Sequence, residues 1–241
     1  MARTPRWTQI GSEKGVVELQ FSSWKFFSDY VNQELLDHTT YIFRGQADSS
    51  WPLEPTLDRE VDYPTSERRQ QHLQAFKLAV RGRRGNNPPQ IKTENNWWAL
   101  GQHHGLATPL LDWTESPFVA LFFAVIEARA KKSKECCVWA LSQTAVANRN
   151  AQIVKDESIK PVAGRKPVVD IVSPMSDENS RLVNQRGLFT RGPDNIDLVD
   201  WIKKYSVSDK YMDLLKIRIP QDGLDKCLRY LNRMNINHAT L

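Results

Sequence analysis

The stretch that most constrains the fold is residues 97–125, which read WWALGQHHGLATPLLDWTESPFVALFFAV. It combines three indoles, two adjacent histidines, an aspartate and several hydroxyl groups, and it continues directly into a strongly apolar run. Core segments rarely carry so many polar groups in a short space, and surface loops rarely adjoin so much apolar sequence. We therefore expect a polar site built on a buried helix–strand–helix unit.

Local signals place the boundaries of this unit. Thr93 is a suitable N-cap for a helix over residues 94–104, and Gly105 suits the left-handed position that ends such a helix. Residues 107–113 form a short apolar run that predicts a strand. Ser116 followed by a proline predicts the start of the next helix, whose apolar residues fall on one face.

Three polar or aromatic residues, Asp112, Trp113 and Thr114, would then lie where the strand ends and the helix begins. Free backbone N–H groups and the positive end of the helix dipole make such a place attractive to phosphate. Trp113 could offer an aromatic face to a base. The alternative is that the hydroxyl groups only cap the helix and that the tryptophan only packs.

The whole chain has 241 residues, 40% of them hydrophobic and 25% charged, which is ordinary for a globular protein with a sizeable core. No run of 18 apolar residues and no signal-peptide core occurs, so we expect no membrane segment and a cytoplasmic protein. The 3 cysteines give neither a disulfide framework nor a zinc spacing. The chain is mildly basic, with a formal net charge of +5.

Helices and strands mix without a regular alternation, which predicts one α+β domain over residues 1–241 with a mixed sheet and surrounding helices. Its motif-bearing core spans about residues 23–190, and a strand and a helix follow in 214–234. The predicted strands are residues 16–21, 39–45, 107–113, 137–141, 168–172, 184–190 and 214–219. The predicted helices are residues 22–35, 66–80, 94–104, 117–128, 177–183, 196–205 and 223–234, with a weak helix within 142–166.

Arg44 ends an apolar strand and is followed by Gly45. The planar guanidinium suits bidentate contacts to phosphate, and the glycine would let the backbone pass close to a ligand. A structural ion pair with a carboxylate such as Asp112 is the alternative. Gln185 opens the late strand over residues 184–190 and could project into the same cleft; the alternative is an amide at the sheet edge.

His103 and His104 are neighbours, so on a helix they point about 100° apart and one of them can face the site. Such a histidine could hydrogen-bond a ribose hydroxyl or transfer a proton. A buried structural histidine is the alternative. Metal ligation is not expected, because no third ligand has a suitable spacing. Arg81, Arg83 and Arg84 form a cationic, glycine-bearing loop, and Lys131, Lys132 and Lys134 lie at the end of the central helix. Either group could contact the phosphates of a nucleic acid or could simply be solvated.

Three motifs together resemble the FRG domain family of bacterial and phage proteins. They are Phe43-Arg44-Gly45, the block from Gln102 to Ala124, and Asn184-Gln185-Arg186-Gly187-Leu188-Phe189. The family's arrangement is similar to that of a diverged, toxin-like ADP-ribosyltransferase with a split sheet. The resemblance implies NAD as substrate, an RNA, DNA or protein acceptor, a neutralising antitoxin partner, and a role in phage defence.

The same resemblance implies roles for individual residues. Arg44 corresponds to the arginine that holds the NAD phosphates, and Thr114 and Ser116 correspond to the polar strand end before a helix. Gln185 stands by order where those enzymes carry a catalytic glutamate, and it is not an acid. Asp112 is therefore our first choice for stabilising a cationic sugar, with Glu115 and Glu178 as alternatives.

These observations leave three functional hypotheses. The first is an enzyme with Asp112, Gln185 and His104 as catalytic residues and with Arg44, His103, Trp113, Thr114 and Ser116 as residues that bind NAD. The second is a module that binds a nucleotide or nucleic acid without turnover. The third is a nucleotide hydrolase with a histidine base. The first two require one arrangement, in which Arg44, a histidine, Asp112 and Gln185 converge on a single cleft.

Overall fold

A computed structural model describes residues 4–62, 64–85, 88–173, 185–206 and 211–241. Its strands are β1 (Trp7–Glu13), β2 (Val16–Phe21), β3 (Tyr41–Gln46), β4 (Leu111–Thr114), β5 (Glu135–Ser142), β6 (Asp170–Val172), β7 (Gly187–Arg191) and β8 (Leu214–Pro220). Its α-helices are α1 (Phe27–Tyr30), α2 (Thr56–Glu60), α3 (Ser66–Ala79), α4 (Glu94–His103), α5 (Pro117–Lys131), α6 (Gln143–Lys155), α7 (Leu198–Lys204) and α8 (Leu224–Arg233). A 3-10 turn, Trp24–Phe26, and a π-helical segment, Val31–Leu35, flank α1.

The described strands form one mixed sheet in the order β1-β2-β8-β5-β3-β4-β7-β6. Within it β2 and β8 run parallel, and the other described pairs are antiparallel. Strands β3 and β4 share a single paired position in the described residues, with Phe43 opposite Thr114. The predicted split therefore corresponds to a narrow junction inside one sheet, and not to two separate sheets. The α+β class is confirmed.

Helices cover both faces of the sheet because successive strand residues point to opposite sides. Helices α1, α5 and α8 pack on one face, where the core includes Phe27, Leu121 and Leu231. Helices α6 and α7 cover the other face, around Trp139 and Trp201. A smaller cluster lies beneath α2, α3 and α4. Strands from both ends of the chain thus join one sheet, while the single domain over residues 1–241 stays a prediction.

Capping residues place the helices next to the junction. Thr93 accepts a hydrogen bond from the backbone N–H of Asn96, Ser116 accepts one from Val119, and Gly105 has a φ of 80°. These three predictions are confirmed, since each depends only on neighbours in sequence. Ser142 caps α6 in the same way, so the predicted weak helix is a regular one of 13 residues.

Several predicted boundaries were wrong. The strand predicted at residues 107–113 is limited to Leu111–Thr114, because the segment before it contains Pro109 and is held by Thr108 side-chain bonds. The strand predicted at 168–172 begins only at Asp170, since Asn150 bonds the backbone of Val169. Strand β1 was not predicted at all. The predicted helix over 177–183, with Glu178, lies outside the described residues.

In the part of the chain that the structure describes, no helix is long and apolar enough to cross a membrane.

Candidate functional site

A cleft of about 560 Å³ opens at the β3–β4 junction. This volume is in the range of small-molecule and cofactor sites. Arg44, His103, Asp112 and Gln185 all line it. The remaining wall residues are Phe43, Gly45, Gln46, Trp51, Thr56, Arg59, Gln102, Trp113, Thr114, Ala120, Phe123, Glu127, Lys131 and Phe189. The structure therefore brings the four predicted side chains to one place.

One wall of the cleft is a stripe along α5. Ala120, Phe123, Glu127 and Lys131 all line the cleft, and their spacing puts them on one helical face. At 1.5 Å per residue, the distance from the first to the last is about 17 Å. The cleft is thus elongated. We call the part near Thr114 the inner end and the part near Lys131 the outer end.

Arg44 is in the middle of β3 and its side chain is 17% exposed. One terminal nitrogen, Nη1, donates to the backbone oxygen of Asp112 at 2.9 Å and lies 3.5 Å from the carboxylate Oδ2. Its Nε is buried and has no hydrogen-bond partner among the described residues. The ion pair that was considered as an alternative is therefore present, and the Arg44 side chain also forms part of the cleft wall.

Gly45 serves the packing of α5 and also lines the cleft, so the expectation that a ligand can approach its backbone stays a prediction. A Cβ at this position would lie 2.1 Å from the Ala120 backbone oxygen and 2.6 Å from the Ala124 nitrogen. Helix and strand therefore touch here through backbone atoms. The glycine fixes the distance between β3 and α5.

Asp112 is held from two sides and still reaches solvent. Its Oδ1 accepts a hydrogen bond of 2.6 Å from Nε2 of Gln102, and its Oδ2 faces Arg44. Gln102 is in turn oriented by the hydroxyl of Thr108, which donates to its amide oxygen. The Asp112 side chain remains 62% exposed. The carboxylate is therefore fixed in direction at the cleft surface and is not sealed in the core.

The two histidines at the end of α4 differ in position. His103 lines the cleft. The ring centre of His104 lies 5.1 Å from that of His103 and 6.4 Å from that of Phe76 on α3, and His104 is not among the described residues that line the cleft. Both side chains are exposed. His103 is therefore the histidine of the cleft wall, and the catalytic role predicted for His104 stays a prediction.

Three other predicted residues have structural partners. Trp113 is only 3% exposed and its indole donates to the Thr190 hydroxyl at 2.9 Å, so it does not present an open face to a base. Thr114 donates to the backbone oxygen of Gln185 at 2.5 Å, which ties β4 to the segment before β7. Ser116 caps α5. Thr114 and Ser116 therefore have the helix-capping role that was considered as the alternative to a binding role, although Thr114 also lines the cleft.

Gln185 lines the inner part of the cleft and is half-buried. It does not open the strand as predicted, because β7 begins only at Gly187. Its Nε2 donates to the backbone oxygen of Leu241 at 2.8 Å. Leu241 is itself buried in the core cluster around α5. The amide is thus oriented by a residue 56 positions away in sequence. No local pattern could have predicted this contact.

The predicted cationic loop packs against α4, away from the cleft wall. The Arg84 guanidinium lies over the Trp97 ring at 5.4 Å, and Lys77 of α3 approaches the same ring at 5.4 Å. Arg84 also donates to Pro89. Arg81 and Arg83 are exposed. Besides Arg44, the described arginine and lysine residues that line the cleft are Arg59 on α2 and Lys131 at the end of α5.

Sequence reasoning did not assign Trp51, Arg59 or Glu127 to the site, and it named Lys131 only as a basic residue that could contact phosphate. Lys131 lies 4.5 Å from the centre of the Trp51 ring, which joins the loop after β3 to the end of α5. The sequence did contain a signal for the α5 residues, because the helical spacing of Ala120, Glu127 and Lys131 places them on one face. The described cleft wall carries the cations Arg44, Arg59 and Lys131 and the carboxylates Asp112 and Glu127.

Among the described residues, no group of three or more histidine, cysteine, aspartate or glutamate side chains could hold a metal ion.

Comparison with known proteins gives one match. Residues 39–133 match the family model described as FRG domain. This range includes Arg44, Asp112 and the whole of α5, and so most of the cleft wall. No curated protein and no solved structure shows significant similarity to the chain.

Proposed function

We propose, from the premise that this chain carries an FRG domain, that its cleft binds NAD and transfers ADP-ribose from it to an acceptor. We favour a nucleic-acid acceptor, RNA above DNA, over a protein. The observation that carries the proposal is the convergence of Arg44, His103, Asp112 and Gln185 on one elongated cleft of about 560 Å³.

The side chains suit the parts of a dinucleotide. Arg44 can hold the pyrophosphate, because its side chain lies in the cleft wall and its planar fork of N–H donors suits phosphate oxygens. His103 can hydrogen-bond a ribose hydroxyl. The amide oxygen of Gln185 has the lone pairs to accept another hydroxyl, since the contact to Leu241 uses the Nε2 side of the group.

The reaction would break the bond between ribose and the nicotinamide nitrogen. Nicotinamide leaves with the bonding electron pair, and positive charge develops on the sugar. The Asp112 carboxylate, oriented by Gln102 and Arg44, would stabilise that charge. An oxygen or nitrogen of the acceptor then forms the new bond to the sugar carbon and gives up its proton, for which His103 is the available base.

A second candidate is a module that binds nucleotide or nucleic acid without turnover. It is favoured by two observations: Gln185 carries no charge, and Asp112 already has an arginine partner at 3.5 Å. An amide accepts a hydrogen bond but cannot offset a developing positive charge as a carboxylate does. The two candidates share the binding cleft and differ in the fate of NAD.

Nicotinamide release tests the enzyme directly. Purified protein is incubated with NAD and either cellular RNA or a protein extract, and free nicotinamide and the mass added to each acceptor are measured. We expect release, with one ADP-ribose added, and we expect Arg44→Ala and Asp112→Asn to lower the rate by about 10²-fold or more. NAD that binds and remains intact with every acceptor would establish the binding module instead.

The toxin-like role has its own test in cells. We expect expression of the wild type to arrest bacterial growth, and Arg44→Ala at equal protein level to remove the arrest. A neutralising protein partner would be recovered as a gene product that restores growth to cells expressing the wild type. Growth arrest of equal strength by the Arg44→Ala protein would separate toxicity from the cleft and refute this role.

A further inference from the structure

The outer end of the cleft combines an aromatic ring, a cation and a carboxylate that the NAD proposal does not use. These residues are Trp51, Lys131 and Glu127. We infer that this outer end binds a nucleotide unit of a single-stranded nucleic acid, which is the acceptor. The inference rests on the proposed function, because it assigns the acceptor class of the same cleft.

The distance along α5 separates this end from the Arg44 region. Gly45, next to Arg44, packs on Ala120 and Ala124. Lys131 lies seven residues further along the helix than the second of these alanines, which is about 10 Å. A ligand unit at Trp51 and Lys131 therefore lies beside the Arg44 region and does not overlap it.

Trp51 supplies the stacking surface. It is half-buried, and part of its ring packs against the core cluster around α5. The ammonium of Lys131 lies 4.5 Å from its ring centre, and Lys131 is itself an exposed side chain. Base stacking on an aromatic ring is stronger than an exposed cation–π contact, so a base can displace the lysine from the ring.

The displaced lysine can still contact a phosphate of the nucleic acid. Lys131 is exposed at the cleft surface, where it can pair with a phosphate. Glu127 lies one turn before Lys131 on the same stripe and would repel a bare phosphate. A nucleotide brings hydroxyl and amino donors that the carboxylate can accept, so the combination favours a nucleotide unit over an inorganic anion.

The chain offers a matched control. Trp97 is also half-buried, with Lys77 and Arg84 each 5.4 Å from its ring, and it adjoins the cationic loop of residues 81–85. Trp51→Leu and Trp97→Leu therefore remove the same kind of ring at two basic places on the molecule. Leucine keeps apolar contact with the core, and Trp51→Phe restores a ring at the proposed position.

The measurement is fluorescence anisotropy with a short, fluorescein-labelled single-stranded RNA, beside calorimetric titration with NAD. We expect Trp51→Leu to weaken RNA binding by about 10-fold or more, Trp51→Phe to retain most of it, and Trp97→Leu to change it by less than about 2-fold. NAD affinity should be unchanged in all three. We expect Lys131→Ala to lower both RNA affinity and its salt dependence, and Lys134→Ala to change neither.

Each other outcome overturns the inference. Unchanged RNA binding by Trp51→Leu would remove the ring from the site, and a larger loss in Trp97→Leu would move the site to the cationic loop. Weaker NAD binding by Trp51→Leu would show that NAD itself occupies the outer end. No RNA binding by the wild type would point to a protein acceptor. If RNA binding behaves as expected and NAD does not bind, the subsite stands and the proposed function fails.

Discussion

Substitution of Gly45 by alanine tests the structural basis of the cleft. The added Cβ would lie 2.1 Å from the backbone oxygen of Ala120, and real Cβ contacts under 3.0 Å essentially never occur. The opposing atoms are backbone on both sides, so no side chain can rotate away. Strand β3 and helix α5 must separate by roughly 1 Å, a distortion of the kind that overpacking produces in a dense core.

The expected cost is about 3 kcal/mol or more, at the upper end of the range for overpacked cores. For a chain of this size that corresponds to a Tm about 6–12 °C lower. Urea unfolding followed by circular dichroism measures the free energy, and the midpoint should fall with an unchanged slope if the unfolded state is unaffected.

The matched control is Gly192→Ala, whose nearest neighbour to an added Cβ is the Ile196 backbone oxygen at 3.8 Å. That contact is ordinary, so its free energy of unfolding should change by less than about 0.5 kcal/mol. If Gly45→Ala is as stable as Gly192→Ala, then β3 and α5 are not in backbone contact, and the packing role of Gly45 is wrong.

Three further predictions concern buried groups. Burial raises the pKa of Cys136, Cys137 and Cys227 to about 12, so iodoacetamide at about pH 8 should leave them unmodified in the native protein and label them in denaturant. Burial, with the nearby Asp213 carboxylate, raises the pKa of Tyr41 to about 12. The unfolded chain loses this proton near pH 10, so stability should fall by up to about 3 kcal/mol between about pH 10 and 12, and Tyr41→Phe should lessen that fall in urea titrations. Arg69 is 3% exposed and pairs with Asp58 at 2.7 Å, so Arg69→Ala should cost about 3–5 kcal/mol; a loss under about 1 kcal/mol would contradict the pairing.

The features that the sequence predicted well are local ones. Thr93, Gly105 and Ser116 act through hydrogen bonds or backbone angles within a few residues, so their types alone indicated the helix ends. These helix ends in turn indicated the order of helix, strand and helix next to the β3–β4 junction. Arg44 and Asp112 were also identifiable, because a charged residue within or beside an apolar strand requires a partner or a ligand.

The features that the sequence did not predict depend on contacts between distant segments. Gly45 was interpreted as a point of ligand approach, and only the position of α5 reveals its packing role. The bond between Gln185 and Leu241 and the contact between Trp51 and Lys131 join segments far apart in the chain. Strand β1 has no apolar alternation because its burial is low, so periodicity gave no signal.

The histidine and arginine assignments depended on the fold for a related reason. The sequence could not say which of the two adjacent histidines lines the cleft, and the structure places His103 there. The cationic loop had the composition of a nucleic-acid contact, but the packing of Arg84 on Trp97 directs part of it towards α4. Composition indicates that a surface is basic, whereas only the fold decides which basic residues share a cleft.

Calorimetric titration of NAD into the wild type, Arg44→Ala and Arg81→Ala tests the central claim most directly, because it compares an arginine in the cleft wall with one in the exposed loop. We predict that the wild type binds NAD, that Arg44→Ala binds about 10- to 100-fold more weakly, and that Arg81→Ala binds as the wild type does. Equal affinity in the wild type and the Arg44→Ala protein, or no binding by the folded wild type, would contradict the assignment of this cleft to NAD.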